Sequence, residues 1–307
     1  MSQDATDTNN NGGIDFALYR YKPSIVAAAV FAGIFLLLSF LHLIRLLRNH
    51  HYFFIPFIVG LLFECAGFIA RIFSHFDTMA LGPYIVQTML ILVAPPLFAA
   101  SIYMTLGRIV VKLGAEEKFI IPVWFLTKIF VIGDVVSFLL QCGGGSFMAV
   151  GTLSAMSTGA NIVVGGLVVQ LLFFGFFVYL SASLHWRMKR RPQYNHVCES
   201  VRSYGIESKG QITWESLMWA IYVASLLILV RSVFRVVEFV EGNDGFIMHR
   251  EYLLYIFDAC LMSLTGIVLI VVYPGSFLGR GENKRDSELP LTLTEDGFTR
   301  PKSNSEG

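Results

Sequence analysis

Glu64, Asp134, Glu238 and Asp258, set against Arg71, Lys128, Arg231 and Arg235, lie within or at the edges of stretches that are otherwise apolar. Charged groups in such a setting do one of two things. They pair with one another and hold segments together, or they bind and move ions or the polar groups of a ligand. Spacing adds information. Glu64, Gly67, Phe68 and Arg71 fall three, four and seven residues apart, on one face of a helix. Thr127, Asp134, Ser137 and Gln141 form a second stripe, with Lys128 off it. Arg231, Arg235 and Glu238 form a third, with an ion pair available between neighbouring turns. Glu251, Tyr255 and Asp258 form a fourth. Lipid cannot satisfy polar faces, so these stripes are expected to face one another.

The surrounding composition defines that setting. Of 307 residues, 55% are apolar and only 15% charged, where a soluble domain carries about 25% charge; the mean hydropathy is +0.62. Seven hydrophobic stretches run over Pro23–Leu46, Phe53–His75, Pro83–Leu106, Ile120–Gln141, Ala160–Leu184, Trp214–Val237 and Glu251–Tyr273. Each approaches or exceeds the ~20 residues a helix needs to cross a bilayer. None alternates with the period of a barrel strand. The expected fold is therefore an all-α integral membrane protein, a bundle of seven transmembrane helices. A soluble enzyme, a nucleic-acid binder and a disordered scaffold are excluded. The polar first twenty residues hold no signal-peptide core, and four cysteines without paired spacing suggest neither a disulfide framework nor a zinc knuckle. No internal repeat supports an inverted-repeat transporter.

Basic residues set the orientation. With Arg45 counted in the loop it enters, the first, third and fifth loops and the C-terminal tail carry 16 Lys and Arg, against 3 in the N-terminal tail and the remaining loops. The excess marks the cytoplasmic side, which puts the N-terminus outside and the C-terminus in the cytoplasm. The expected organisation is an extracellular polar tail over 1–22, a seven-helix domain over 23–275 and a disordered cytoplasmic tail over 276–307. In this orientation Arg71, Gln87, Asp134, Gln141, Asn161, Arg231, Arg235, Glu238, Glu251 and Asp258 all fall in outer halves of their helices. Glu64 lies near the midplane, and Lys128 can snorkel to the inner face. The sequence thus predicts a polar, hydrated pocket in the outer half of the bundle, floored by Glu64. Pro95 and Pro96 are expected to bend the third helix, as a hinge or as a static bend. Cys142–Gly143–Gly144–Gly145–Ser146 reads as a flexible outer loop, without the lysine of a phosphate cradle.

Several blocks carry a resemblance. They are Glu64–Cys–Ala–Gly67–Phe–Ile–Ala–Arg71; Gln87 with Ala94–Pro95–Pro96–Leu–Phe98–Ala–Ala–Ser101–Ile–Tyr103 and Gly107–Arg108; and Gly133–Asp134–Val–Val–Ser137 through Gln141 to Gly143–Gly144–Gly145. Arg231–Ser–Val–Phe–Arg235–Val–Val–Glu238–Phe, Glu251–Tyr252, Phe257–Asp258 and Tyr273–Pro274–Gly275 complete the set. Together, over roughly residues 15–280, the chain resembles the fungal RTA-type family, also called lipid-translocating exporters. One departure is Cys260 after Phe257–Asp258–Ala259, where the family pattern reads Leu–Pro, so the seventh helix lacks a proline at its expected bend.

The resemblance implies seven helices and a role in exporting or translocating sphingoid long-chain bases and other amphipathic compounds. Lipid asymmetry and resistance to drugs and toxic sterol analogues go with it. The expected location is the plasma membrane, with the vacuolar or endoplasmic reticulum membrane as alternatives. Expected partners are membrane lipids and amphipathic small molecules, not nucleic acid; no cofactor, metal or catalytic residue is expected. The cationic amine of a long-chain base would pair with Glu64, Asp134 or Asp258, its tail lying between Phe-rich helix faces. Arg71, Arg231 and Arg235 would pair the acids when no ligand is bound. Two rival readings remain. A seven-helix receptor shares the topology, although the sequence has no Asp/Glu–Arg–Tyr at the inner end of the third helix and no Asn–Pro–x–x–Tyr in the seventh. A seven-helix lipid hydrolase would need histidines converging on one metal, and only His75 and His249 reach the outer side.

Overall fold

A stretch of some twenty apolar residues in hydrocarbon satisfies its backbone only by forming a helix, and the chain does so seven times. The computed structural model describes residues 24–49, 52–76, 81–112, 123–148, 150, 152–189, 214–241 and 250–275. Its helices are α1 (Ile25–Asn49), α2 (Ile55–Phe76, preceded by the 3-10 turn Tyr52–Phe54), α3 (Leu81–Lys112), α4 (Val123–Met148), α5 (Leu153–Lys189), α6 (Trp214–Glu241) and α7 (Glu251–Val271). All seven contain a membrane-length apolar window, and there is no strand among the described residues. The two tails, and most of the fifth loop with its basic residues, lie outside the described residues.

The helices pack in chain order and close into a ring, α1 on α2 through α6 on α7, and α7 back onto α1. α3 also packs across the bundle against α6. Burial follows this layout. More than half of the apolar windows of α2 and α3 is buried, but only a third of those of α1 and α5. Leu36, Leu37 and Phe40 of α1 and Leu172, Phe176 and Tyr179 of α5 stand exposed on the outside, as side chains facing lipid tails do. The interior is strongly aromatic, with Phe31, Phe35, Phe68 and Tyr255 stacked between α1, α2 and α7. At the other end of the α1–α7 contact, His42 Nε2 bonds the Gly266 carbonyl at 3.1 Å. Arg45 donates to the Ile270 carbonyl and lies over the Tyr273 ring, a basic cap on the last turn of α7.

Two local features differ from the sequence expectation. The run Cys142–Ser146 is not a loop: α4 continues to Met148, and Ser146 Oγ closes onto the Cys142 carbonyl at 2.9 Å. The glycines serve packing. A Cβ on Gly144 would meet the Gly159 carbonyl oxygen of α5 at 2.6 Å and the Val163 nitrogen at 2.8 Å, so the two backbones come closer than any side chain allows. In α7, residues Tyr255–Cys260 form a π-helical stretch around Asp258. The stretch contains no proline. Turns of this kind insert one residue and re-aim the side chains beyond them.

The two kinds of glycine should respond oppositely to alanine. Nothing lies within 4 Å of a Cβ on Gly143, so Gly143→Ala should stabilise by about 0.5–1 kcal/mol through helix propensity. Gly144→Ala should destabilise by about 1–3 kcal/mol through overpacking against backbone. Thermal unfolding of the purified protein in one detergent checks both signs.

Candidate functional site

The sequence stripes are buried as expected. Glu64, Arg71, Gln87, Asp134, Gln141, Arg231, Arg235, Glu238 and Asp258 are all buried, and so are Pro95 and Pro96. They do not form one group, however. Two polar clusters are present, with α3 contributing to both.

The first cluster joins α2, α6 and α7. Asp258, fully buried, takes Arg231 Nε on Oδ1 and Arg235 Nη2 on Oδ2, each at 2.5 Å. Arg235 Nη1 also holds Glu238 Oε2 at 2.8 Å, one turn along α6. Nearer the start of α7, Arg71 Nη2 pairs with Glu251 Oε1 at 3.1 Å, and its Nε donates to the Tyr255 hydroxyl at 3.1 Å. The Ser24 amide donates to the same Glu251 oxygen at 2.8 Å, which brings the start of α1 into the network. Three guanidinium groups thus meet three carboxylates.

Arg231 makes one further bond, and it accounts for the paired prolines. Pro95 has no amide hydrogen for the carbonyl four residues before it, that of Ile91. Arg231 Nη2 donates to this carbonyl at 2.5 Å. The backbone group that proline leaves open on α3 is therefore capped by a buried guanidinium whose other side holds Asp258. Glu64 lies on the α2 face that meets the same part of α3. On that face, a Cβ on Gly60 would stand 3.1 Å from the Ala94 carbonyl, and one on Gly67 would collide with the Ile91 side chain at 2.6 Å. Glu64 is fully buried and within electrostatic reach of Asp258, Arg231 and Arg235, yet neither of its carboxyl oxygens has a hydrogen-bond partner among the described residues. It is the acid in excess of the three balanced pairs.

The second cluster lies between α3, α4 and α5. Gln141 Nε2 donates to Gln170 Oε1 at 2.9 Å, and Ser137 Oγ bonds the Gly133 carbonyl at 2.8 Å. Asp134 is 4% exposed; among the described residues no close hydrogen bond reaches either of its oxygens, and the buried hydroxyl of Tyr103 beside it is the polar group that interacts with it. Lys128 is exposed at the start of α4, away from these groups. Among the described residues no group of three or more His, Cys, Asp or Glu is placed to hold a metal ion.

Sequence reasoning passed over Gln170 and gave Tyr103 no role of its own. Gln170 carried a usable signal, a lone amide in an uncharged apolar run. Tyr103 carried none, because a tyrosine in a Phe-rich helix reads as packing.

The charge network generates a stability prediction. Asp258→Asn leaves buried Arg231 without a carboxylate and Arg235 with Glu238 alone, and loss of one partner in such a cluster costs about 3–5 kcal/mol. Glu251→Gln leaves Arg71 its bond to the Tyr255 hydroxyl and removes an acid whose side chain is 20% exposed, so it should cost less, about 1–3 kcal/mol. Unfolding midpoints of the two variants, compared at matched detergent and salt, test the ranking.

Comparison with known proteins agrees with the resemblance carried by these blocks. A family model described as RTA1 like protein matches residues 57–281. Protein RTA1 of Saccharomyces cerevisiae is 39% identical over 284 residues, covering 84% of this chain and 85% of that protein. Protoporphyrin uptake protein 1 of the same organism is 33% identical over 86% of this chain and 93% of its own length. The sphingoid long-chain base transporter RSB1 is 26% identical over 82% of this chain and 71% of its own length. No solved structure matches. With seven membrane-length apolar helices and a family match over most of its length, the chain is an integral membrane protein and belongs to the RTA1-like family.

Proposed function

We propose that this protein translocates amphipathic molecules across a membrane, with sphingoid long-chain bases or chemically similar compounds as its substrates. The observation that carries the reading is the pair Glu64 and Asp134. Both carboxyl groups are buried in the bundle, and among the described residues no close hydrogen bond reaches any of their four oxygens, Asp134 having the Tyr103 hydroxyl beside it. A polar group stranded in hydrocarbon is costly, and a site that meets a ligand's polar head within the bilayer needs such groups. Asp258 is the third acid expected to take an amine, but its two oxygens are occupied by Arg231 and Arg235. It serves to hold the helices, and Glu64 and Asp134 are left for the ligand. The aromatic interior suits an alkyl tail. Relatives named for sphingoid base transport and for protoporphyrin uptake both concern molecules that join a large apolar body to charged groups.

The rest of the proposal follows from charge placement. The basic loops orient the N-terminus outward and the C-terminus into the cytoplasm, so the arginine-rich cluster occupies the outer half of the bundle, whereas Asp134 and Tyr103, at or past the middles of α4 and α3 on the cytoplasmic side, lie deeper than the sequence spans implied. A plasma membrane location, an effect on lipid asymmetry and a contribution to resistance against toxic amphipathic compounds follow from moving such molecules between leaflets.

Reconstitution of this chain alone into proteoliposomes tests the proposal. A labelled long-chain base should change leaflets faster than in protein-free vesicles, and Glu64→Gln should slow it by about tenfold, the scale of one lost charge-assisted hydrogen bond. If flux equals that of empty vesicles while the base still binds, translocation is refuted and the receptor reading takes its place.

A further inference from the structure

Tyr103 of α3, Phe130 of α4 and Phe177 of α5 form a closed triangle of rings. Their centroids are 4.4 Å apart for Tyr103–Phe177, 5.4 Å for Tyr103–Phe130 and 5.5 Å for Phe130–Phe177. All three are no more than 1% exposed. Asp134 follows Phe130 by one turn of α4, on the same face, and the Tyr103 hydroxyl is near enough to interact with its carboxyl group. Among the described residues no other polar group approaches the Asp134 carboxyl closely, and its contact with the Tyr103 hydroxyl is a long one. As packing alone this makes little sense. An aliphatic side chain at position 134 would fill the space without the cost of burying an unpaired carboxyl.

The arrangement fits a cation. Aromatic faces carry negative potential and attract ammonium groups, most strongly where water is excluded. Among the described residues no guanidinium or ammonium group pairs with Asp134. Glu64 differs in this respect. It is within electrostatic reach of Arg231 and Arg235, so an ammonium group gains less beside it than beside Asp134. The triangle adjoins the lipid-facing side of α5, where Phe176 stands half exposed with its ring 6.0 Å from that of Phe130.

We propose that Asp134, Tyr103, Phe130 and Phe177 form a subsite for the ammonium head of an alkylammonium amphiphile, distinct from the arginine-rich cluster around Asp258. The Asp134 carboxylate accepts the N–H bonds of the head, and the rings flank the charged nitrogen and its first methylenes. The Tyr103 hydroxyl is left to bond the carboxylate or a hydroxyl of the ligand. The ligand class rests on the transport reading above; the binding does not depend on flux.

Equilibrium binding to the full-length protein in phosphatidylcholine nanodiscs tests the subsite, with a single-chain primary alkylamine and the alcohol of the same chain length as probes. Wild type should prefer the amine. Asp134→Asn should weaken amine binding by about tenfold or more and leave the alcohol within about twofold. Phe177→Leu should weaken the amine by about threefold or more through the lost ring face. Asp134→Glu retains the charge and should keep the amine preference, which separates loss of charge from loss of fold. Equal wild-type affinity for amine and alcohol would overturn the subsite. So would an Asp134→Asn protein that retains the preference, or loss of the preference in Glu64→Gln but not in Asp134→Asn. Asp134-dependent amine binding without flux in proteoliposomes refutes transport and supports the subsite. Flux together with Asp134-independent amine binding does the reverse.

Discussion

Asp258, held between Arg231 and Arg235, is the interaction on which the arrangement of the bundle depends. Lipid satisfies neither of two buried guanidinium groups, and their own helix offers only Glu238, to Arg235, so α6 can occupy its place only if α7 delivers a carboxylate. The π-helical stretch Tyr255–Cys260 carries that residue. Arg231 then extends the tie to α3 through the Ile91 carbonyl, and Arg71, with Glu251 and Ser24, extends the network to α2 and α1. Five of the seven helices are therefore fixed by polar bonds that have no substitute at this depth. The apolar contacts around them contribute packing, but lipid tails offer nearly the same environment and so specify far less.

One consequence is that the prolines of α3 cannot be treated alone. Pro95 opens the Ile91 carbonyl, and a buried arginine closes it. A movement of α3 about this point must break or carry along the Arg231–Asp258 pair. The close approach of α2, set by Gly60 and Gly67, brings Glu64 to the same face of α3. A ligand group that engaged Glu64 would thus act beside the arginines that hold the proline turn. The question of hinge or static bend becomes one about the strength of the Arg231 tie.

The sequence made the seven spans legible, because length and hydropathy determine them almost alone. Their polar faces were legible too, since helical spacing is read directly from residue numbers. What it left open was pairing. Arg71, Arg231 and Arg235 are chemically equivalent, and nothing in their spacing says that two of them share Asp258 while the third turns to Glu251. That choice depends on helix order and rotation. The division of the polar residues into two clusters was hidden for the same reason, since outer-half position gives depth but not direction around the bundle. The glycine run after Gln141 was read as a loop because isolated glycine disfavours helix. Within a membrane bundle the same residue lets two helix backbones touch, and here that effect prevails.

The separation of the clusters also bears on how transport would work. A ligand changes a conformational balance only by binding one state better than the other. In the arginine-rich cluster the one acid beyond the three balanced pairs, Glu64, lies within electrostatic reach of Arg231 and Arg235, so a cationic head gains less there than beside an acid with no guanidinium near it. At Asp134 the ligand would meet a carboxyl with only the Tyr103 hydroxyl beside it and displace nothing charged. The first contact of a cationic head is therefore cheapest on the α4 side. α3 is the one helix that contributes to both clusters, through Tyr103 on one side and the Ile91 carbonyl on the other. A head that engages Tyr103 and Asp134 acts on the helix whose open carbonyl Arg231 holds. The paired prolines thus lie in the segment through which occupancy of one cluster can reach the other.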